Sequence, residues 1–173
     1  MIEIRKAKPE DAQGIVRVCS DGYRSTYPEL LPRDAIEKII KDFYHVDRVQ
    51  NETLHTDRAW NGWYVAAEDG NIIGAGGGGM TGEETGELFV LYLDPARKRE
   101  GIGSKLLQAI TREQLESGAK EQWVSVAQGN AAAIAFYEAV GFQYAGQRPT
   151  YGLAEADGFV SLRYKRSIAE KNG

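Results

Sequence analysis

The sequence predicts an α/β (α+β) fold, in which helices flank a mixed central sheet. Strand-like and helix-like segments alternate through the second half of the chain, which is the order expected of such a sheet. Residues 88–93 are apolar at every position, as in a strand that is buried on both faces. The chain has 173 residues, the usual length of one domain, and we expect residues 1–173 to form a single domain.

The N-terminal region predicts a strand followed by a helix. Residues 2–5 alternate between apolar and charged side chains, as a half-buried strand does. Pro9-Glu10-Asp11 supplies a helix start, and we expect the helix to run over residues 11–21. The stretch 23–32 is aromatic and interrupted by prolines, which is typical of a loop or a short helical turn.

A second helix and a hairpin are expected next. Apolar residues recur on one face of segment 34–49, which predicts a helix. The polar segment 51–62 predicts a loop. Residues 63–67 and the strand that begins at Ile72 flank a polar turn at 68–71, and this pattern predicts a hairpin.

The second hairpin strand continues into a run of glycines. Gly74, Gly76 and Gly79 match the G-x-G-x-x-G pattern of dinucleotide sites, but that pattern must open a helix to bind a pyrophosphate. Here the run leads into a turn and then a strand, so we expect no dinucleotide site. A strand with few side chains instead lets another backbone or a ligand approach closely.

The remaining elements alternate regularly. A helix is expected from Gly103 to Ser117, because its apolar residues share one face and Gly118 follows as a stop signal. Residues 122–126 predict a strand and residues 130–140 a helix. A final pair of strands is expected between residues 142 and 162.

Composition excludes several classes of protein. The net charge of −4 gives no general attraction to nucleic acid, so we expect no nucleic-acid partner. Cys19 is the one cysteine and cannot form an intramolecular disulfide, which fits a reducing compartment. No apolar run approaches the roughly 20 residues of a membrane span, so we expect a cytoplasmic protein without a membrane partner. His45 and His55 have no spacing suited to a compact metal site, and no metal is expected.

The most informative segment runs from Asp94 to Leu107. A buried strand ends there, and glycines lead directly into an amphipathic helix, so backbone N–H groups face outward at the positive end of the helix dipole. Gly101 and Gly103 remove side chains that would block a phosphate. The segment therefore predicts a pyrophosphate site; a turn with solvated basic residues is the alternative. The basic residues are Arg97, Lys98, Arg99 and Lys105.

Two motifs resemble those of the GNAT superfamily of N-acetyltransferases. Residues 98–103, Lys-Arg-Glu-Gly-Ile-Gly, resemble its Arg/Gln-x-x-Gly-x-Gly/Ala signature, with Lys98 at the place of the usual Arg or Gln. Residues 130–142 resemble its N-x-x-A-x-x-F-Y-x-x-x-G-F element, and the order of elements agrees over nearly the whole chain. The resemblance implies the GNAT fold, a mixed and mostly antiparallel sheet of about six or seven strands with about four helices. In that fold strands 4 and 5 splay apart.

The resemblance also implies a binding mode for acetyl-CoA as co-substrate. The pantetheine arm would lie between strands 4 and 5, paired with the backbone of Leu91, Tyr92 and Leu93. Asn130 would bind the arm from the other side while capping the next helix. The pyrophosphate would be held by the loop and first helical turn: Lys98, Arg99, Glu100, Gly101, Ile102, Gly103 and Ser104.

Catalytic roles follow from the same resemblance and from the chemistry of acetyl transfer to an amine. Tyr137 matches the tyrosine that protonates the departing thiolate in the family; packing against the sheet is its other interpretation. The amine must lose a proton before it can attack, and a carboxylate acting through water is a suitable base. Glu87 is our first candidate for that base, and the Leu93 N–H for the donor to the oxyanion.

The acceptor is the least constrained part of the prediction. Tyr23 and Tyr27 are candidate substrate-binding residues, because aromatic rings with nearby glutamates suit a cationic amine. Packing of the two rings between helices is the other interpretation. Polyamines, aminoglycosides, amino acids and peptide amines all stay open, as does a homodimer. The alternative function is a non-catalytic acetyl-CoA sensor or regulatory module.

Overall fold

The computed structural model describes residues 1–97, 99–149 and 160–169, in which seven strands form one sheet. The strands are β1 Ile2–Lys6, β2 Trp63–Glu68, β3 Asn71–Met80, β4 Thr85–Leu93, β5 Glu121–Ala127, β6 Gln143–Pro149 and β7 Val160–Ser167. The helices are α1 Ala12–Thr26, α2 Arg33–Phe43, α3 Val46–Leu54, α4 Ile102–Glu116 and α5 Ala131–Ala139, with a short 3-10 turn at Pro9–Asp11.

The strand order is β1-β2-β3-β4-β5-β7-β6. The β4–β5 pair is parallel, and every other neighbouring pair is antiparallel. The prediction of a mixed, mostly antiparallel sheet is therefore confirmed. β4 and β5 pair only between residues 85–88 and 121–124 and diverge beyond them, so the predicted splay is confirmed too.

Helices cover both faces of the sheet. β3 shows this directly, because nine consecutive residues from Ile72 to Met80 are buried. On one face α1 packs through Ile15 and Val18. On the other, α4 packs through Leu107 and Ile110 against Leu88 of β4. Within the described residues, no helix is both long and apolar enough to cross a bilayer.

The glycine run of β3 allows the close packing that the sequence predicts. A methyl group at Gly77 would overlap the ring of Trp60, and one at Gly79 would collide with the Ala59 carbonyl. A methyl group at Gly78 would collide with the backbone of Glu87. The Ala59–Trp60 segment and the backbone of β4 therefore lie directly against β3. A larger residue at these glycine positions would displace them.

Three predicted boundaries in the N-terminal half were wrong. α1 continues to Thr26, where a loop or short turn was expected from residue 23. The single helix predicted over 34–49 is two helices, because Tyr44 ends α2 and the His45 ring nitrogen accepts a hydrogen bond from the Arg48 N–H, which starts α3. α3 then runs to Leu54, into the segment predicted as a loop.

Candidate active site

A cleft of about 760 Å³ opens where β4 and β5 diverge. One wall is residues 88–93 of β4, and the other is residues 124–126 of β5. α1, the start of α4 and α5 close the cleft around these strands. The lining residues outside the strands are Gly22, Ser25, Thr26, Tyr27, Pro95, Arg99, Gly103, Asn130, Ala132, Ala133, Phe136 and Tyr137.

The paired end of β4 and β5 is cross-linked by a buried polar network on the α4 face. The Gln114 side chain donates to the backbone carbonyl of Glu87 at 3.0 Å. The Gln122 side chain of β5 donates to Gln114 Oε1, also at 3.0 Å, and Arg166 of β7 donates to Gln122. Both glutamine side chains are fully buried, so these hydrogen bonds hold the paired ends of β4 and β5 together next to the cleft.

The loop between β4 and α4 forms one end of the cleft. Two of its residues have left-handed backbone, Arg99 at φ 69° and Gly101 at φ 77°, and Gly101 is the N-cap of α4. Gly103 faces Phe136 and leaves room for a methyl group, with 3.5 Å to the nearest ring atom. Lys98, the predicted departure from the family motif, lies outside the described residues.

The basic residues of this loop have separate surroundings. Arg99 lines the cleft. Arg97, by contrast, is bound by the carboxylates of Glu68 and Glu100, whose pKa values its hydrogen bonds lower. Sequence reasoning grouped these cations as one patch because it could not show the distant Glu68.

Asn130 lies opposite β4 and has two structural roles. Its side chain caps α5 by accepting a hydrogen bond from the Ala133 N–H at 3.2 Å. It also lies close to the Tyr27 hydroxyl: burial raises the pKa of that phenol, and Tyr92 and Asn130 oppose the rise. The Tyr27 hydroxyl accepts a hydrogen bond from Tyr92 at 3.4 Å. These contacts join α1, β4 and α5 around the cleft, although the three residues are far apart in the sequence.

Tyr137 is 8% exposed and lines the cleft from α5. Its ring packs edge-on against Phe136 and Phe142, with centroid separations of 5.1 and 5.4 Å. Burial raises the pKa of its phenol, with a further contribution from Tyr27, so the hydroxyl keeps its proton at neutral pH. Both interpretations of Tyr137 are therefore compatible with its position, since it packs and also presents a proton donor.

Glu87 is buried on β4 and bound by arginines. Arg163 of β7 donates to both carboxylate oxygens, at 2.9 and 3.0 Å, and Arg148 lies 3.5 Å away. Arg163 also donates to the Ser125 hydroxyl at 2.7 Å, and Ser125 lines the cleft. Sequence reasoning missed Arg163, because 76 residues separate it from Glu87 and no local motif marks it.

The two candidate acceptor residues have different positions. Tyr27 lines the cleft. Tyr23 packs behind it, with ring centroids 4.3 Å from Tyr27, 5.7 Å from Tyr92 and 6.0 Å from Tyr44. Burial raises the pKa of both candidate phenols, so neither carries charge at neutral pH.

A mixed sheet that parts between parallel β4 and β5, with a glycine-containing loop ahead of the next helix, defines the fold of the N-acetyltransferases. The chain belongs to the acetyltransferase (GNAT) family, which it matches over residues 26–142. The family and the enzyme class predicted from the sequence, an acyltransferase, are confirmed.

Similar proteins agree with this assignment. The N-acetyltransferase YuaI of Bacillus subtilis is 32% identical over 145 residues, covering 80% of this chain and 79% of that protein. The spermidine N(1)-acetyltransferase of Thermoplasma acidophilum is 27% identical over 143 residues, covering 82% and 88%. The PaiA N-acetyltransferase of Thermoplasma acidophilum, solved in complex with coenzyme A, has a TM-score of 0.82 at 24% identity, covering 97% of this chain and 99% of that one.

Proposed function

We propose that the protein transfers the acetyl group of acetyl-CoA to a primary amine on a small molecule, by direct attack of the amine on the thioester. The observation that carries this proposal is the cleft between the diverging strands, with Tyr137 in its wall and the start of α4 at its end. The coenzyme A complex of the PaiA structure, which shares the fold, supports the choice of donor.

The donor would be held mainly by backbone. Residues 91–93 line the cleft on β4, where β5 no longer pairs with them. The N–H and C=O groups of Leu91 and Leu93 face away from β3 and are therefore available to the pantetheine amides. The amides of residues 99–104 would bind the pyrophosphate at the start of α4, where the helix dipole favours an anion. Asn130 would contact the arm from α5.

The chemistry requires one new bond and one broken bond. The amine nitrogen attacks the thioester carbonyl, and the Leu93 N–H would stabilise the oxyanion of the tetrahedral intermediate. The carbon–sulfur bond then breaks, and the sulfur leaves as a thiolate that takes a proton from the Tyr137 hydroxyl. The nitrogen loses two protons in all. The ammonium proton leaves through water before attack, and an N–H proton is lost as the intermediate collapses, which balances the proton that the phenol gives to the thiolate and regains from solvent.

Glu87 is the proposed acceptor of the amine proton, through water. Because both of its oxygens already accept hydrogen bonds from Arg163, the water would have to share one of them. The Ser125 hydroxyl bonds to the same guanidinium and lines the cleft, which supports a hydrogen-bonded route from the acceptor site to Glu87.

For the acceptor, we propose a polyamine as the first class to test. The similar protein from Thermoplasma acidophilum is named for spermidine, and the ring of Tyr27 offers an uncharged aromatic surface in the cleft. Amino acids, aminoglycosides and a peptide amine are the competing acceptors.

Release of free thiol from acetyl-CoA, measured against spermidine, amino acids, aminoglycosides and short peptides, tests the proposal. A melting curve with and without acetyl-CoA reports donor binding separately. Thiol release with one amine class supports the proposal and identifies the acceptor chemistry. Donor stabilisation without release from any amine would favour the alternative, a sensor or regulatory module. If acetyl-CoA neither stabilises the protein nor releases thiol with any amine, acetyl-CoA is refuted as the donor.

A further inference from the structure

Arg97 forms a double ion pair beside the loop that precedes α4. Its guanidinium donates to both carboxylate oxygens of Glu68, at 2.8 and 3.1 Å. It donates to both oxygens of Glu100 as well, at 2.7 and 2.9 Å. Two carboxylates therefore share one guanidinium, and its charge is already neutralised before any ligand arrives.

The two carboxylates belong to different parts of the fold. Glu68 is the last residue of β2, where it pairs with Ile2 of β1 and Asn71 of β3, so its backbone is fixed by the sheet. Glu100 immediately precedes Gly101, the N-cap of α4. Arg97 therefore ties the start of α4 to the β2–β3 hairpin.

The loop contains backbone that needs such support. Arg99 is not a glycine, yet its φ is 69°, a conformation unfavourable for an L-residue with a β-carbon. It lies between Arg97 and Glu100, the two loop residues of the ion pair. The bridge therefore holds the chain on both sides of its most strained residue, and that residue lines the cleft.

We propose that Arg97 is a positioning residue, whose bridge between Glu68 and Glu100 presets the loop amides for the pyrophosphate of the donor. The inference rests on the proposed use of acetyl-CoA. It differs from the expectation that Arg97 simply adds positive charge to a phosphate site, because a neutralised guanidinium attracts a phosphate only weakly.

Substitution of Glu68 separates these two explanations, because they predict opposite signs. Glu68→Gln removes a negative charge near the phosphate site, so an electrostatic role for this cluster predicts a lower KM for acetyl-CoA. A positioning role predicts a higher KM, because the bridge to the sheet is weakened. We expect a rise of roughly threefold to fivefold for Glu68→Gln and for Arg97→Met, with kcat unchanged.

A truncated donor tests whether the effect passes through the pyrophosphate. Acetyl-pantetheine has the same thioester and arm but lacks the pyrophosphate, so its KM should be unaffected by either substitution. Arg5→Met is the matched control, because Arg5 also forms a two-bonded ion pair, with Asp11 at 2.7 and 3.1 Å, and has the same side-chain exposure of 26% as Arg97. Arg5 lies on β1, away from the cleft lining.

A lower or unchanged KM for acetyl-CoA in Glu68→Gln overturns the inference. An equal rise in the KM for acetyl-pantetheine also overturns it, because the effect would then not pass through the pyrophosphate. So does an equal rise in the KM for acetyl-CoA in the Arg5→Met control, because it would indicate a general loss of stability. Failure of the wild-type protein to bind acetyl-CoA in a melting experiment would instead refute the proposed function, so the two failures are distinguishable.

Discussion

The donor and acceptor sides of the cleft are built in different ways. On the proposed donor side, the structure offers backbone: the free edge of residues 91–93 and the loop amides before α4. On the proposed acceptor side, it offers the side chains of Tyr27 and Ser125. Glu87 and Arg163 are not part of the cleft lining, and Ser125 connects to them through its hydrogen bond from Arg163.

This difference determines which residues each side of the cleft requires and how they are distributed along the sequence. A site made of backbone groups depends on the course of the main chain. Its residues are therefore contiguous in the sequence, and its glycines cannot be replaced freely. A side-chain site requires only that particular groups meet in space, and they can come from any element. The expected effects of substitution differ accordingly. They range from a large fall in kcat at Tyr137, where the two sides meet, to a small rise in the KM for the amine at Tyr27.

The largest effect is expected at Tyr137, where the donor thioester would meet the acceptor. Tyr137→Phe should lower kcat by about a hundredfold or more while the KM for acetyl-CoA changes little, because the ring and its packing are kept and the proton donor is lost. Since burial raises the pKa of this phenol, the wild-type kcat should show no loss from phenol ionisation up to about pH 10. Steady-state kinetics from pH 6 to about pH 10 check both statements.

Tyr144→Phe is the matched control, because Tyr144 is 58% exposed on β6 and its hydroxyl lies away from the cleft lining. An unchanged kcat in Tyr137→Phe would remove this tyrosine from the mechanism, and catalysis would then depend on other groups along the cleft.

The next effect, on the acceptor side, is expected at Glu87. Glu87→Gln should lower kcat by about tenfold to a hundredfold near neutral pH, because the amine loses its proton acceptor. Activity should recover as the pH rises, since more of the amine then arrives without its proton. The variant should also melt at a lower temperature, because Arg163 loses a charged partner in a buried pair.

The pH profile distinguishes a base from a structural partner of Arg163. A loss of activity that stays constant from neutral to alkaline pH would mean that Glu87 acts only by holding Arg163 and Ser125. In that case the acceptor side would contain no carboxylate base at this position.

A smaller effect is expected on the donor side at Gly101. Gly101→Ala should cost about 1 kcal/mol of folding free energy because of its left-handed φ of 77°, and should raise the KM for acetyl-CoA several-fold through the displaced loop. Gly118→Ala at the other end of α4 is the control, since its φ is 95° and it also has space for a methyl group. Equal changes in KM for the two variants would contradict a donor site at the start of α4.

The smallest effect is expected from the tyrosine pair. Tyr27→Phe should raise the KM for the amine roughly threefold, because the hydroxyl that accepts a hydrogen bond from Tyr92 in the cleft wall is removed. Tyr23→Phe should have less effect, because Tyr23 packs behind Tyr27. Equal effects of the two variants on the KM for the amine would mean that both predicted acceptor residues reach the substrate.

The same contrast decides how much the sequence could predict. The loop and helix start at 98–103 form one contiguous motif, and Tyr137 lies in a second, at 130–142, so both could be found in the sequence. The order of strands and helices follows from local periodicity. The break at Tyr44 was missed because the polar and apolar pattern continues across it, and the cap that starts α3 is a histidine, His45, which is not among the preferred N-cap residues. Arg163, Gln114 and Glu68 were missed because each acts on a residue far away in the sequence, and no spacing rule links them to the site.

The divergence of β4 from β5 has a consequence for the protein without its donor. Beyond Leu88, β4 is an edge strand in the middle of a sheet, with half of its backbone groups facing the cleft rather than a neighbouring strand. Amide hydrogens that face a solvent-filled gap exchange with deuterium readily, whereas those that pair with a bound arm do not. Exchange at Leu91 and Leu93, whose N–H groups face the gap, therefore reports whether the gap is occupied, and the proposed donor would complete the sheet there.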